Sequence, residues 1–163
     1  MKKFIPILFI LFFSSIVMAQ TPITYSGIVT TKDTLSKNEV YSRVESWIIE
    51  TIGNINYKED NQDSVIIKTM CRMRYVNYGV GGNNGSYATG YVDYNLNFIV
   101  LKGKFKYTFT NFIHTGWNKP WSYGLITKEP CKKIGWTGYF EDIKIVINTE
   151  VLNTTKSLKI ILN

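Results

Sequence analysis

Apolar and polar residues alternate with a period of two through the middle of this chain, and with a period near 3.6 in two stretches on either side of it. Ile23, Tyr25 and Gly27 alternate with Thr24, Ser26 and Ile28, which predicts a short strand over 23–29. Ser36 and Glu39 then form a capping box, in which the Ser hydroxyl and the Glu carboxylate each satisfy a backbone amide at a helix start. Val40, Val44, Trp47, Ile48 and Thr51 recur at helical spacing behind it, and Gly53 is a natural stop, so 37–52 reads as an amphipathic helix. The polar stretch 57–63 reads as a turn. Val65, Ile67, Thr69, Cys71, Met73 and Tyr75 form one face of a strand over 64–75, with Lys68, Arg72 and Arg74 on the other.

The clearest hairpin spans 91–113. Val92, Tyr94, Leu96, Phe98 and Val100 alternate along its first strand, Lys102-Gly103 makes the turn, and Phe105, Tyr107, Phe109, Asn111 and Ile113 continue as the antiparallel partner. Before it, 77–90 is rich in Gly and Asn. It joins two strands and carries no Lys, which fits a hairpin connection better than a phosphate cradle. After it, 115–136 is irregular, with Leu125 and Ile126 as a short edge strand. Phe140, Ile143, Ile147, Val151, Thr154, Leu158 and Ile161 then mark one stripe of a helix over 139–161. Asn153-Thr154-Thr155 weakens its middle, where a break can fall. The order β-α-β-β-β-α predicts an α+β fold in which helices cover one face of an antiparallel sheet.

The N-terminus follows a different logic. Lys2 and Lys3 precede an apolar run over 4–17, and Val17-Met18-Ala19 offers small or short side chains before Gln20. This is the layout of a secretory signal peptide over 1–19. The run is shorter than the roughly 20 residues a spanning helix needs, and no later run is longer, so no membrane span is expected after cleavage. The expected location is the periplasm or the extracellular space. Residues 20–163 have the length of a single domain, with a core over 23–115, an aromatic loop over 115–136 and the C-terminal helix. The formal charge of +7, which falls to +5 once Lys2 and Lys3 are removed, is spread along the chain, with one local cluster at Lys102, Lys104 and Lys106. Scattered lysines suit solubility more than a nucleic-acid footprint, and export makes nucleic acid an improbable partner.

Three segments together resemble a known family. They are Ile23-Thr24-Tyr25-Ser26-Gly27-Ile28-Val29, then Leu35-Ser36-Lys37-Asn38-Glu39-Val40-Tyr41 with Trp47 six residues on, and Leu101-Lys102-Gly103-Lys104-Phe105-Lys106-Tyr107 leading to Thr110-Asn111-Phe112 and His114. Over roughly 23–115 the chain resembles the exported bacterial domain of unknown function with a TATA-binding-protein-like (TBP-like) fold. The resemblance implies a curved antiparallel sheet with helices packed on one side. It implies no activity, and the name of the fold does not imply DNA binding.

Candidate chemistry is sparse. Two Cys and one His are too few for a structural zinc site, and no metal or cofactor is expected. Export permits a disulfide between Cys71 and Cys131, closing a loop of about 60 residues and stabilising by roughly 4 kcal/mol. A buried free thiol at Cys71 fits its apolar strand face equally well. His114 is the one available base, with Cys71 a conceivable nucleophile, but no Gly-x-Ser-x-Gly elbow accompanies it. Among Asp93, Glu129, Glu141 and Asp142 nothing in the spacing selects a catalytic pair. Trp117, Trp121, Tyr123 and Trp136 are the suggestive set, because aromatic faces in loops stack on sugars or anchor partners, although they also cap cores. The expected function is therefore a non-catalytic module of the cell envelope that binds a protein or glycan ligand. A small envelope hydrolase using His114 is the alternative.

Overall fold

A computed structural model of the chain describes residues 21–31, 35–77, 88–116, 122–129 and 137–161. The expected signal peptide lies outside the described residues, as do residues 78–87 of the expected Gly-rich loop, Cys131 and the three Trp residues of the aromatic loop, while the ends of that Gly-rich loop, Asn77 and 88–90, belong to paired strands instead. The elements are β1 (Tyr25–Thr30), α1 (Lys37–Thr51), β2 (Tyr57–Asp60), β3 (Val65–Asn77), β4 (Ala88–Leu101), β5 (Lys104–Gly116), β6 (Gly124–Leu125) and α2 (Thr137–Ile160). They build an antiparallel sheet in the order β1-β5-β4-β3-β2, with β6 paired to the C-terminal part of β5. The fold is the expected α+β arrangement.

The two long helices form where the stripes place them. Ser36 and Glu39 make the capping box, with the Glu39 amide donating to Ser36 Oγ at 3.3 Å and the Ser36 amide donating to Glu39 Oε2 at 2.8 Å. The Ser36 hydroxyl and amide together hold the Glu39 carboxyl below the usual carboxylate range. Gly53, at φ +96°, ends α1 in a conformation that costs Gly little. Val40, Val44, Trp47 and Ile48 are buried, while Thr51 in the last turn is exposed. In α2 the stripe from Phe140 to Leu158 is buried, and the helix runs unbroken through Asn153-Thr154-Thr155. Thr154 faces the core, so tertiary packing outweighs the weak propensity of this triplet. The helices share one face of the sheet: α1 packs on β4 and β5, α2 on β3 and β1. Trp47 Nε1 of α1 donates to Ser157 Oγ of α2 at 2.8 Å, tying the layer together.

The covered face is built in rows that follow the strand register. Val65, Val100, Phe105 and Val29 form one row across four strands; Ile67, Phe98, Tyr107 and Gly27 form the next; Thr69, Leu96, Phe109 and Tyr25 the third. Edge-on ring contacts of Phe98 with Trp47 and with Phe105 fill the space under α1. At the hairpin tip Gly103 adopts φ +67°. Its amide donates to Leu35 O, and its carbonyl accepts from the Thr31 amide and hydroxyl, so the tip is pinned between the end of β1 and the start of α1.

Two features depart from the alternation in the sequence. The stretch expected as a turn contains β2, a four-residue edge strand in which every residue is exposed. With both faces wet it has no hydrophobic period to betray it, and its charged side chains are typical of a protected sheet edge. The second departure is a β-bulge in β5. Asn95 pairs with Thr110 and Asp93 with Ile113, so Asn111 and Phe112 together oppose Tyr94. Asn111 sits at φ +56°, a left-handed conformation that Asn tolerates. The extra residue reverses the alternation: Phe112 and His114 turn into the core, and Asn111 and Ile113, expected with the core residues, face solvent.

Candidate binding surface

The face of the sheet opposite the helices is uncovered by any described element. Its rows follow from the same register. Glu59, Ile66, Ile99, Lys106 and Ile28 form a row across β2, β3, β4, β5 and β1. Tyr57, Lys68, Asn97, Thr108 and Ser26 form the next row. Met70, Asn95 and Thr110 lie at the centre, followed by Arg72, Asp93, Ile113 and Leu125, then Arg74, Tyr91 and Thr115. Met70 is 59 % exposed, Ile28 55 % and Ile99 41 %, and Ile113, Leu125, Tyr57 and Tyr91 are exposed with them. Apolar surface gathered on one face marks an interaction site more often than scattered apolar residues do.

The charges on this face are unequal. Lys68, Arg72, Arg74, Lys104 and Lys106 are set against Glu59 and Asp93. Arg72 grips Asp93 with two parallel bonds, Nε to Oδ1 at 2.6 Å and Nη2 to Oδ2 at 2.9 Å, and its guanidinium lies 5.1 Å from the Tyr91 ring centre. Lys68 lies 4.8 Å from the Tyr57 ring centre, and the Tyr57 hydroxyl donates to Glu59. Among the described residues no ion pair engages Arg74, Lys104 or Lys106. The surface is thus an apolar field with a surplus of positive charge at its rim. Its apolar residues sit at positions the strand alternation assigns to the wet side. Ile28, Ile66, Met70 and Ile99, out of phase with their neighbours, were the signal for this surface in the sequence.

The groups considered for catalysis are placed otherwise. His114 is fully buried and accepts the Tyr123 amide at Nδ1, at 3.2 Å. Burial pushes its pKa down to about 4, which leaves a neutral ring with its proton on Nε2. The backbone of Gly90 leaves room for it: a Cβ there would stand 3.0 Å from His114 Nε2 and 2.4 Å from the Thr115 carbonyl oxygen. Cys71 is a buried free thiol, pushed up to about 11 by desolvation. It opposes Tyr94 on β4, whereas His114 opposes Val92 from the far side of that strand. Two strand spacings of about 4.8 Å separate the backbones of Cys71 and His114, beyond the reach of a nucleophile–base hydrogen bond. The Tyr94 hydroxyl donates to Glu150 of α2 at 3.2 Å, and burial raises its pKa. Asp93 is on the uncovered face, and Glu141 and Asp142 are on α2 behind the opposite face, so these acids are not brought together. Tyr123, the described member of the aromatic set, is buried with its ring against Phe140 at 5.4 Å, and the core occupies the face it was expected to offer a ligand. Trp117, Trp121 and Trp136 lie outside the described residues. A groove of 360 Å³ between α1 and the end of α2 is lined by Ser42, Arg43, Trp47 and Glu50, and Arg43 is committed there to the Ile161 carbonyl. No cluster of three metal-ligating side chains occurs among the described residues, and none of their helices is long and apolar enough to cross a membrane.

Comparison with known proteins places this architecture. The model of a family described as a domain of unknown function (DUF4468) with TBP-like fold matches residues 20–115. The chain belongs to the DUF4468 family. Two solved structures share the shape. A TBP-like protein from Parabacteroides distasonis matches at a TM-score of 0.62 and 11 % identity, over 86 % of this chain and 92 % of that one. A DUF4468 family protein from Bacteroides ovatus matches at 0.53 and 8 %, over 84 % and 86 %. At such identity the likeness shows the fold alone. No curated protein sequence matches this one. The DUF4468 match ends near the C-terminus of β5 and takes in the whole uncovered face except Leu125.

Proposed function

We propose that this DUF4468 protein is a non-catalytic interaction module of the cell envelope, exported by cleavage after Ala19, that holds a protein or glycan ligand against the uncovered face of its sheet. One observation carries the reading: large apolar side chains on all of β1, β3, β4 and β5 emerge on the side the helices leave open, with Arg74, Lys104 and Lys106, which no ion pair engages among the described residues, around them. The burial of His114 and the separation of Cys71 from it favour structural work for both groups over hydrolysis.

Affinity capture from the envelope of the producing cell, with residues 20–163 as bait, tests the proposal. Ile99→Asp and Met70→Asp variants run beside it, both at exposed positions that the fold does not use. A specific envelope protein or glycan held by the wild type and lost by both variants is the expected result. Equal recovery with the variants would overturn the sheet face as the site and direct attention to Trp117, Trp121 and Trp136. Export is checked separately, by N-terminal sequencing of the envelope protein, which should begin at Gln20.

A further inference from the structure

α2 carries a second stripe, directly opposite the one it buries. Glu141, Ile145, Thr149, Leu152 and Lys156 recur at four- and three-residue steps and are all exposed, with Ile145 61 % and Leu152 60 % accessible. Two large apolar residues on the solvent side of a helix whose other side fills the core need a reason. Their spacing is seven residues, or two turns, the repeat that brings side chains to a common seam between paired helices.

The ends of the stripe carry opposite charges, Glu141 before the apolar pair and Lys156 after it. The stripe is therefore complementary to itself when reversed. In an antiparallel pair with its two-fold axis between Asn148 and Thr149, Ile145 of one protomer meets Leu152 of its partner, and Glu141 meets Lys156. Symmetry repeats both contacts, giving a closed, isologous interface. The axis is small and quiet enough for close approach. Thr149 Oγ1 is spent on the Ile145 carbonyl at 2.9 Å, which leaves its methyl as the outward group, and Asn148 accepts from the Tyr25 hydroxyl. Glu141 holds only an exposed i,i+3 contact with Lys144 at 3.4 Å, which a second cation readily displaces.

We propose that the outer face of α2 is a homodimer interface, in which two copies pair their C-terminal helices antiparallel about an axis between Asn148 and Thr149. Two 24-residue helices in contact bury less than a permanent dimer does, so the association is weak and reversible. The pairing joins the two helix layers and leaves both uncovered sheet faces pointing away from each other. It stands independently of what those faces bind.

Sedimentation velocity over a concentration series, with residues 20–163, tests it through a charge exchange. The wild type should show concentration-dependent dimer, and Leu152→Glu should weaken it by tenfold or more, because one substitution removes two apolar contacts. Glu141→Lys and Lys156→Glu should each be monomeric alone, since each brings like charges together twice. Mixed in equal amounts they should dimerise again, because every opposed pair in the mixed dimer is then a Lys with a Glu. Circular dichroism melts of the three variants confirm that these surface changes leave the fold intact. A wild type that stays monomeric throughout would overturn the interface. So would dimers that persist in Leu152→Glu, or single-charge variants that fail to recover on mixing.

Discussion

The hydroxyl of Tyr107 lies over the backbone of Gly27, so close that a Cβ built on Gly27 would stand 2.3 Å from it. The two residues are register partners on β1 and β5, and the ring of Tyr107 occupies the volume that a side chain at position 27 would fill. Gly in a strand ordinarily weakens it, and Ala there would normally help. Here the sign reverses. Gly27→Ala should destabilise by about 1–3 kcal/mol through overpacking, read as a lower urea midpoint. In a Tyr107→Leu background the same change should cost less, because the obstructing hydroxyl is gone. Equal costs in the two backgrounds would show that the contact does not govern the position.

His114 titrates in a window of its own. Burial lowers its pKa from an ordinary value near 6.5 to about 4. Above pH 6.5 the ring is neutral in both folded and unfolded chains, and its contribution to stability is fully present. Between pH 6.5 and 4 the unfolded chain binds the proton and the folded one does not, so stability falls as the pH is lowered, by roughly 3 kcal/mol across the window. His114→Gln can still accept the Tyr123 amide but cannot titrate. It should flatten that part of the stability profile whatever it does to the plateau. An unchanged slope in the variant would assign the loss to other groups.

Most of the architecture was legible because most elements have one dry face and one wet face. The α1 and α2 stripes and the hairpin at Lys102-Gly103 follow directly from that contrast. β2 was hidden for the opposite reason: Tyr57–Asp60 is exposed on both faces, and only pairing with β3 makes it a strand. The bulge was hidden because a period of two has no means of counting an extra residue. The alternation from Phe105 to Phe109 predicts Asn111 and Ile113 inside, and the inserted residue puts Phe112 and His114 there instead. The uncovered face was half visible. Ile28, Met70 and Ile99 break the polar side of their strands, but their gathering into one surface depends on a register that spans residues 26 to 113.

Cys71 should be inert in the folded chain. The thiolate is the reactive form, and burial pushes this thiol up to about 11. In a Cys131→Ser background at pH 8, Ellman's reagent should leave Cys71 unmodified in native buffer and titrate it fully in guanidinium chloride. Rapid modification of the native protein would mean that β3 opens under α2 far more readily than its packing implies.

The bulge makes a sharper demand on one residue. Asn111 holds a left-handed backbone, which a β-branched side chain resists and Gly accepts without strain. Because the side chain of Asn111 is exposed, substitutions there change little besides the backbone preference. Asn111→Gly should therefore leave stability within about 0.5 kcal/mol of the wild type, and Asn111→Val should lower it by about 1–2 kcal/mol, both read from urea midpoints. Deleting the residue is a different experiment, because it restores the uninterrupted period of two. Phe112 then follows Thr110 directly and opposes Tyr94 alone, so Phe112 and His114 keep facing the core and Ile113 keeps facing solvent. Cooperative unfolding retained in the deletion variant, beside near-native behaviour of Asn111→Gly, is the expected pair of results. A deletion variant that loses cooperative unfolding would show that the bend and twist the bulge adds, and not the inward facing of Phe112 alone, hold this end of β5 in place.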